Sequence, residues 1–360
     1  MAAFIVDTNI VVADWTLHGA LFTLLRGAVQ KMAAKLLVPQ VVMDEIRGKA
    51  EGEITQRVRE ISRAQKAINR LVPYPIDAGD TAALVEGYMG LLHGSLDELG
   101  ARTLPYPTIS HDKIVGRIIR AARPFNEGER GYRDFLIWMT ILDYVRTHQD
   151  ETIVFVSENV RDFALDNRWH PDLLADLERM HIVEDRVKLV TSREALKALV
   201  LLQGDHDGTP LSVGDLAGID TVSLVNSIEQ AYPDWRSETA LDEYQYDLDL
   251  PDAFESPVLD AIDDIDEAAL VWGTRTDDGV RVLEIAFRGE CQISGFMDKS
   301  EYWGVYYTDR DVEVMDSDWN DYSVWVVTHR TCRIRLWITL EPDDSIRTVE
   351  VQEIELEANR

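Results

Sequence analysis

Ala2-Ala3-Phe4-Ile5-Val6-Asp7-Thr8-Asn9-Ile10 opens the chain with a short apolar run that ends on an acid, an alcohol and an amide. Residues 3–6 read as a buried strand. An acid at the carboxyl end of a parallel strand faces the crevice where ligands bind; it can equally cap the helix that follows. Three further acids recur downstream in comparable contexts: Glu45, Asp134 and Asp162. Each comes just after a strand-like run or on the apolar stripe of a helix. A site built from carboxylates suits a hard divalent cation such as Mg²⁺ or Mn²⁺.

The three differ in what surrounds them. Glu45 shares a helical face with Val41 and Val42, four and three residues earlier, while Asp44 points elsewhere; the plain alternative is a surface glutamate paired with Lys49. Asp134 begins a helix whose buried stripe continues through Trp138, Ile141 and Val145, although an acid in a first turn is also favoured by the helix dipole alone. Asp162 follows the β-branched strand Thr152–Val156 within Ser157-Glu158-Asn159-Val160-Arg161-Asp162-Phe163, where Ser157 and Asn159 add polar groups at the same strand end.

Between these acids the chain alternates strand and helix signals. A helix is expected over 19–34, a strand over 35–38, and a helix from Pro39 to about Gly48. An amphipathic helix follows over 51–71, then helices near 80–93 and 112–122. A charged loop, 123–133, leads to a helix over 134–147, and short αβ elements continue to about 200. Such alternation implies a parallel sheet covered by helices.

The first 165 residues resemble a PIN domain, a metal-dependent nuclease fold related to the 5′ exonucleases. The resemblance is carried by Ile5-Val6-Asp7-Thr8-Asn9, the helix bearing Glu45, the Arg133-Asp134 pair and Ser157 to Phe163. It implies that Asp7, Glu45, Asp134 and Asp162 hold one or two divalent ions that activate water to cleave a phosphodiester. Thr8, Asn9, Ser157 and Asn159 then support them. The gap from Glu45 to Asp134 is longer than in compact members, which implies inserted helices and a lid-like loop, and the gap from Asp134 to Asp162 is longer by about two helical turns. No histidine is placed as an obvious general base.

A polyanion would find cations close by. Arg117, Arg120, Arg123, Arg130 and Arg133 cluster before and beside Asp134, with Phe125 and Tyr132 among them. Arginines interleaved with aromatics suit a single strand through phosphate contacts and base stacking. Some of them can instead pair with Glu127 and Glu129 on a solvated loop.

The charge is unevenly spread. Residues 1–200 hold 28 acidic and 25 basic residues, and 201–360 hold 37 and 11, so nearly all of the net −29 lies in the second part. That part would repel a nucleic acid; its acidity serves solubility, a basic protein partner, or occupation of the basic groove of the first. A chain of 360 residues accommodates two domains or three. The expected division is a PIN-like domain over 1–203, a Gly- and Asp-rich linker over 204–222, and an acidic α+β domain over 223–360. In the last, a helix near 222–231 and an acidic stretch to about 267 precede strand-like runs. The runs 333–340 and 348–356 alternate apolar and polar around Pro342-Asp343-Asp344-Ser345, an antiparallel hairpin signature. Trp272, Trp303, Trp319, Trp325 and Trp337 are expected to build a core.

Cys291 and Cys332 have no metal-ligand spacing. With no apolar run long enough to span a bilayer and no signal-peptide pattern, a reduced cytoplasmic protein is expected. The fold expected is thus a three-layer α/β/α domain with a central parallel sheet, followed by an α+β domain with an antiparallel sheet. The function expected is a divalent-metal-dependent endonuclease acting on single-stranded RNA more than DNA, in the manner of a toxin or phage-defence effector. The alternative is a catalytically inactive module that binds nucleic acid or a protein. Self-association is left open.

Overall fold

The apolar run at the N-terminus forms β1 (Ala2–Val6), buried beyond its first residue. In this computed structural model, which describes residues 2–75, 79–125, 131–165, 168–202, 250, 253–306 and 312–356, chain contacts define two compact units, Met1–His206 and Asp207–Arg360.

In the first unit β1 is followed by α1 (Thr8–Ala13), α2 (Ala20–Gln30), β2 (Ala34–Pro39), α3 (Gln40–Asn69), α4 (Thr81–Glu98), β3 (Arg102–Leu104), α5 (His111–Ile119), α6 (Tyr132–Thr147) and β4 (Thr152–Val156). Then come α7 (Val160–Phe163), a small hairpin of β5 (Ala164–Leu165) and β6 (Arg168–Trp169), α8 (Pro171–Arg179), β7 (Val187–Val190) and α9 (Ser192–Leu202). Five strands form one sheet in the order β3-β2-β1-β4-β7, and every pairing is parallel. Helices pack in two groups, α2 with α9 and α3 with α1, α4 and α6. This is the expected parallel sheet flanked by helices. Its strand order reverses direction between β1 and β4, which is where a crevice opens in sheets of this kind.

One boundary differs from the sequence expectation. The helices expected to end near Gly48 and to restart at 51 are a single helix, α3, of 30 residues. Gly48 and Gly52 cost helix stability, on the order of 1 kcal/mol each, but no proline interrupts the run. Arg57 also ties the turns on either side through Glu53 and Glu60.

In the second unit β8 (Glu255–Arg275) and β9 (Arg281–Asp298) form a long hairpin, followed by β10 (Glu313–Asp316), β11 (Ser323–Leu340) and β12 (Ile346–Leu356). The sheet order is β10-β11-β9-β8, with β12 also on β11, and all pairings are antiparallel. The expected hairpin around 342–345 is β11–β12. The runs read separately as 323–327 and 333–340 are one strand. The expected linker over 204–222 and helix near 222–231 lie outside the described residues.

Odd residues of β9 (Leu283, Ile285, Phe287, Ile293, Met297) and even residues of β11 (Val324, Val326, Ile334, Leu336, Ile338) face one core, as strand alternation requires. The tryptophan expectation is corrected. Trp337 is buried, yet Trp303 and Trp319 are about half exposed (51% and 50%). Trp319 packs beside Phe296 and Trp325, which lie on the sheet face opposite that core. Trp337 and Trp272 each donate an indole N–H to the buried carboxylate of Glu284. Cys291 and Cys332 are buried and free.

Candidate active site

Strand register builds the floor of the site. Val6 and Val156 are partners at the ends of β1 and β4, so the next residues, Asp7 and Ser157, emerge side by side. Ser157 Oγ donates to Asp7 Oδ2 at 2.5 Å, and Asn9 Nδ2 donates to the same oxygen at 3.1 Å. The Thr8 N–H donates to Asp7 Oδ1 at 2.6 Å. Asp7 is therefore both the cap of α1 and a buried acid, 4% exposed. Burial pushes its carboxyl above the ordinary aspartate range against the pull of the Ser157 and Thr8 bonds; the charge of Glu45 adds to the rise and Lys49 opposes it.

Glu45 stands in the second turn of α3. Thr8 Oγ1 donates to its Oε2 at 2.9 Å, and Arg133 donates to Oε1 at 2.5 Å. Asp44, one residue earlier, points elsewhere and accepts from Tyr106 Oη at 2.6 Å. Lys49 does not pair with Glu45, contrary to the plain surface reading.

Asp134 lies in the first turn of α6. The helix is capped by Gly131 (φ 95°), where a Cβ would sit 2.1 Å from the Pro124 carbonyl oxygen. Only glycine lets α6 start this close to the 124–125 backbone. Asp134 titrates near 6, raised first by burial and then by the charges of Asp7, Asp162 and Glu45, with Arg133 pulling the other way. Asp162, on α7, accepts from Arg123 at 3.0 Å.

Acids from four separate elements thus meet electrostatically at Asp134. Their donor chemistry fits a hard divalent cation, which would relieve the like-charge repulsion that lifts Asp134. The ligand group itself is not assembled: among the described residues no three His, Cys, Asp or Glu side chains form a group able to hold a metal. Two of the four acids are held by guanidiniums instead, Glu45 by Arg133 and Asp162 by Arg123. Arg123 and Arg133, both expected to meet a strand, thus each hold a site acid in this structure.

The rest of the basic set divides. Arg117 is buried (8% exposed). It donates to Asp176 at 2.5 Å and to the Arg123 carbonyl at 2.9 Å, and its guanidinium lies 5.3 Å from the centre of the Phe135 ring. With so little of it reaching water and its guanidinium held by these partners, Arg117 acts as a structural pin, not a strand contact. Phe125 is likewise fully buried. Arg120 is exposed, as are Tyr132 (44%) and the Arg133 side chain (64%). Arg130 lies outside the described residues. Of the supporting residues, Thr8, Asn9 and Ser157 touch the acids, while Asn159 contributes its backbone N–H to Ser157 Oγ at 3.0 Å.

Sequence reading missed Asp176, which accepts from Arg117, Trp138 and Arg179. Its only signal was a place among leucines on α8. Lys49 was noted only as a partner for Glu45, whereas its charge acts on Asp7.

Among the described residues no helix is long and apolar enough to cross a membrane. No curated protein and no solved structure matches the chain. Residues 4–163, which begin within β1 and end just past Asp162, match a family model described as a PIN domain. That family is generally one of metal-dependent nucleases acting on nucleic acid. The PIN domain family is thus shown for residues 4–163, in the N-terminal half of the chain.

Proposed function

We propose that the protein is an endonuclease that uses Mg²⁺ or Mn²⁺ and cleaves single-stranded RNA in preference to DNA. The observation that supports this most is the electrostatic coupling of the four acids: burial, and then the charges of Asp7, Asp162 and Glu45, lift Asp134 to about 6. Asp7, Glu45, Asp134 and Asp162 would hold the ion, which when bound supplies Lewis acidity and neutralises charge developing on the phosphate. The protein's own side chains do the positioning. Ser157, Asn9 and the Thr8 N–H fix the Asp7 carboxylate, and the Thr8 hydroxyl fixes that of Glu45. Arg133, mostly exposed, is able to leave Glu45 for a phosphate oxygen, and Tyr132 beside it offers an exposed ring to an unpaired base. The preference for RNA and a role as a toxin or phage-defence effector rest on the family resemblance. The acidic C-terminal half is read as a surface for a basic protein partner.

A second reading is a non-cleaving module that binds nucleic acid. It is favoured by the two arginine–carboxylate pairs and the unassembled ligand group. Incubation with end-labelled single-stranded RNA and DNA, in Mn²⁺, Mg²⁺ or EDTA, separates the two. Metal-dependent fragments support the nuclease. Retained binding with no fragments at high protein concentration supports the module.

A further inference from the structure

Helix α3 is far longer than the core it serves. Its buried residues are Val41, Val42, Met43, Ile46 and Ala50, all in its first three turns. The helix then runs on to Asn69 as a charged arm carrying Arg57, Arg59, Arg63, Lys66 and, at its end, Arg70, against Glu51, Glu53 and Glu60. The cations are not scattered around it. At 3.6 residues per turn, Arg59, Arg63, Lys66 and Arg70 all fall within about 60° of the azimuth of Glu45. They follow one another at axial steps of about 6, 4.5 and 6 Å, starting about 21 Å from Glu45. All four are exposed, and among the described residues none has an ion-pair partner. Arg57, about 120° away, is the arginine of the arm that is tied up, by Glu53 and Glu60.

The interval between the acid and the cation row is open. Gly48 and Gly52 fall in the same sector of the helix, and a side chain at either would meet no atom within 4 Å. Lys49 lies between them, close enough for its charge to act on Asp7. One face of one helix therefore carries, in order, a site acid, a step holding Gly48, Lys49, Gly52 and Gln56, and a row of four cations, with Glu60 at the edge of the face about 60° from Glu45, held by Arg57 and within reach of the charge of Arg63.

We propose that this face of α3 is a rail for the phosphate backbone of a single nucleic-acid strand whose other end lies in the acid site. The inference rests on reading the four acids as a nucleic-acid site, and it adds the direction the strand takes. A row of regularly spaced point charges with no apolar groove between them suits a polyanion, which is held by counterion release and not by shape. Alignment with Glu45 along an unbroken helix ties that row to the reacting end.

The test measures binding of a ~30-nucleotide single-stranded RNA to the full-length protein by fluorescence anisotropy, in EDTA so that nothing is cut, over a range of salt. Each phosphate contact on a single strand adds about 0.7 to the slope of log K against log salt. Arg63→Gln lowers the slope by about 0.7, and the combined Arg59→Gln, Arg63→Gln, Lys66→Gln and Arg70→Gln variant lowers it by about 2–3, with at least tenfold weaker binding at low salt. Arg57→Gln, off the face, leaves it unchanged. All are surface positions, so circular dichroism matches the wild type. The rail is overturned if the combined variant keeps the wild-type slope, if Arg57→Gln lowers it as much as Arg63→Gln, or if the wild-type protein binds no strand at low salt. It is also overturned if the combined variant binds the strand normally but dissolves a self-associated species in sedimentation, which would assign the face to the acidic half of a second copy. Absence of cleavage with metal would sink the nuclease reading and leave these binding comparisons intact.

Discussion

Arg133, the first-turn neighbour of Asp134 on α6, donates to Glu45 on α3 at 2.5 Å. The pair joins two elements that each bring an acid to the site and neutralises one of them. Because the Arg133 side chain is 64% exposed, the bond is worth little, about 0–1 kcal/mol, and a divalent ion competes with it readily. Arg133→Gln should bind Mn²⁺ up to about fivefold more tightly by titration calorimetry, whereas Glu45→Gln should bind it more weakly. Weaker Mn²⁺ binding by Arg133→Gln would show that the arginine supports the ion instead of opposing it.

Asp134 makes stability fall with pH in the absence of metal. Folded, it titrates near 6, against 3.8 for an ordinary aspartate. The folded protein therefore keeps this proton where the unfolded chain has lost it, and stability declines as pH rises from about 4 through 6. The loss is at most on the order of 3 kcal/mol. Asp134→Asn should escape it, melting several degrees above the wild type at pH 8 in EDTA and at the same temperature near pH 4. Equal melting temperatures at both pH values would remove the like-charge account of the site.

Asp7 responds differently because it is buried and accepts three hydrogen bonds. Asp7→Asn should abolish cleavage, as should Asp134→Asn, but it turns an amide N–H₂ toward at least one donor and should cost about 1–2 kcal/mol in chemical denaturation. Full activity of either variant would refute the site assignment.

Ser157→Ala removes one of those donors and leaves Asp7 in place. A loss of about 1 kcal/mol of stability is expected, with cleavage reduced roughly tenfold and Mn²⁺ affinity reduced in step. Unchanged Mn²⁺ affinity would mean that Ser157 organises the strand end and not the acid.

Arg117→Ala tests the corrected role of that residue. It leaves the buried Asp176 short of a partner, and a loss of about 3 kcal/mol is expected. RNA affinity of the fraction that remains folded should be unchanged. A large fall in affinity with normal stability would return Arg117 to the strand-binding set.

Much of the site was legible in the chain because it lies at strand ends. The run Phe4-Ile5-Val6 must be a buried strand, so Asp7 must emerge at its carboxyl end; the same logic places Ser157 after Thr152–Val156. Helical spacing put Glu45 inward and Asp44 outward, as found. These are local consequences of residue size, polarity and backbone period, and they are written in the sequence.

What the chain could not decide depends on contacts between distant segments. The register of β1 against β4 sets Asp7 beside Ser157. The entry of α6 over Gly131 brings Arg133 to Glu45, and the packing of α8 buries Asp176 and with it Arg117. In sequence Arg117, Arg123 and Arg133 are equivalent cations near an acid; only the fold separates a buried pin from two guanidiniums that hold site acids. The continuity of α3 through Gly48 and Gly52 belongs to the same class. Two glycines lower helix propensity without forbidding it, and tertiary anchoring of the first three turns decides that the helix runs on.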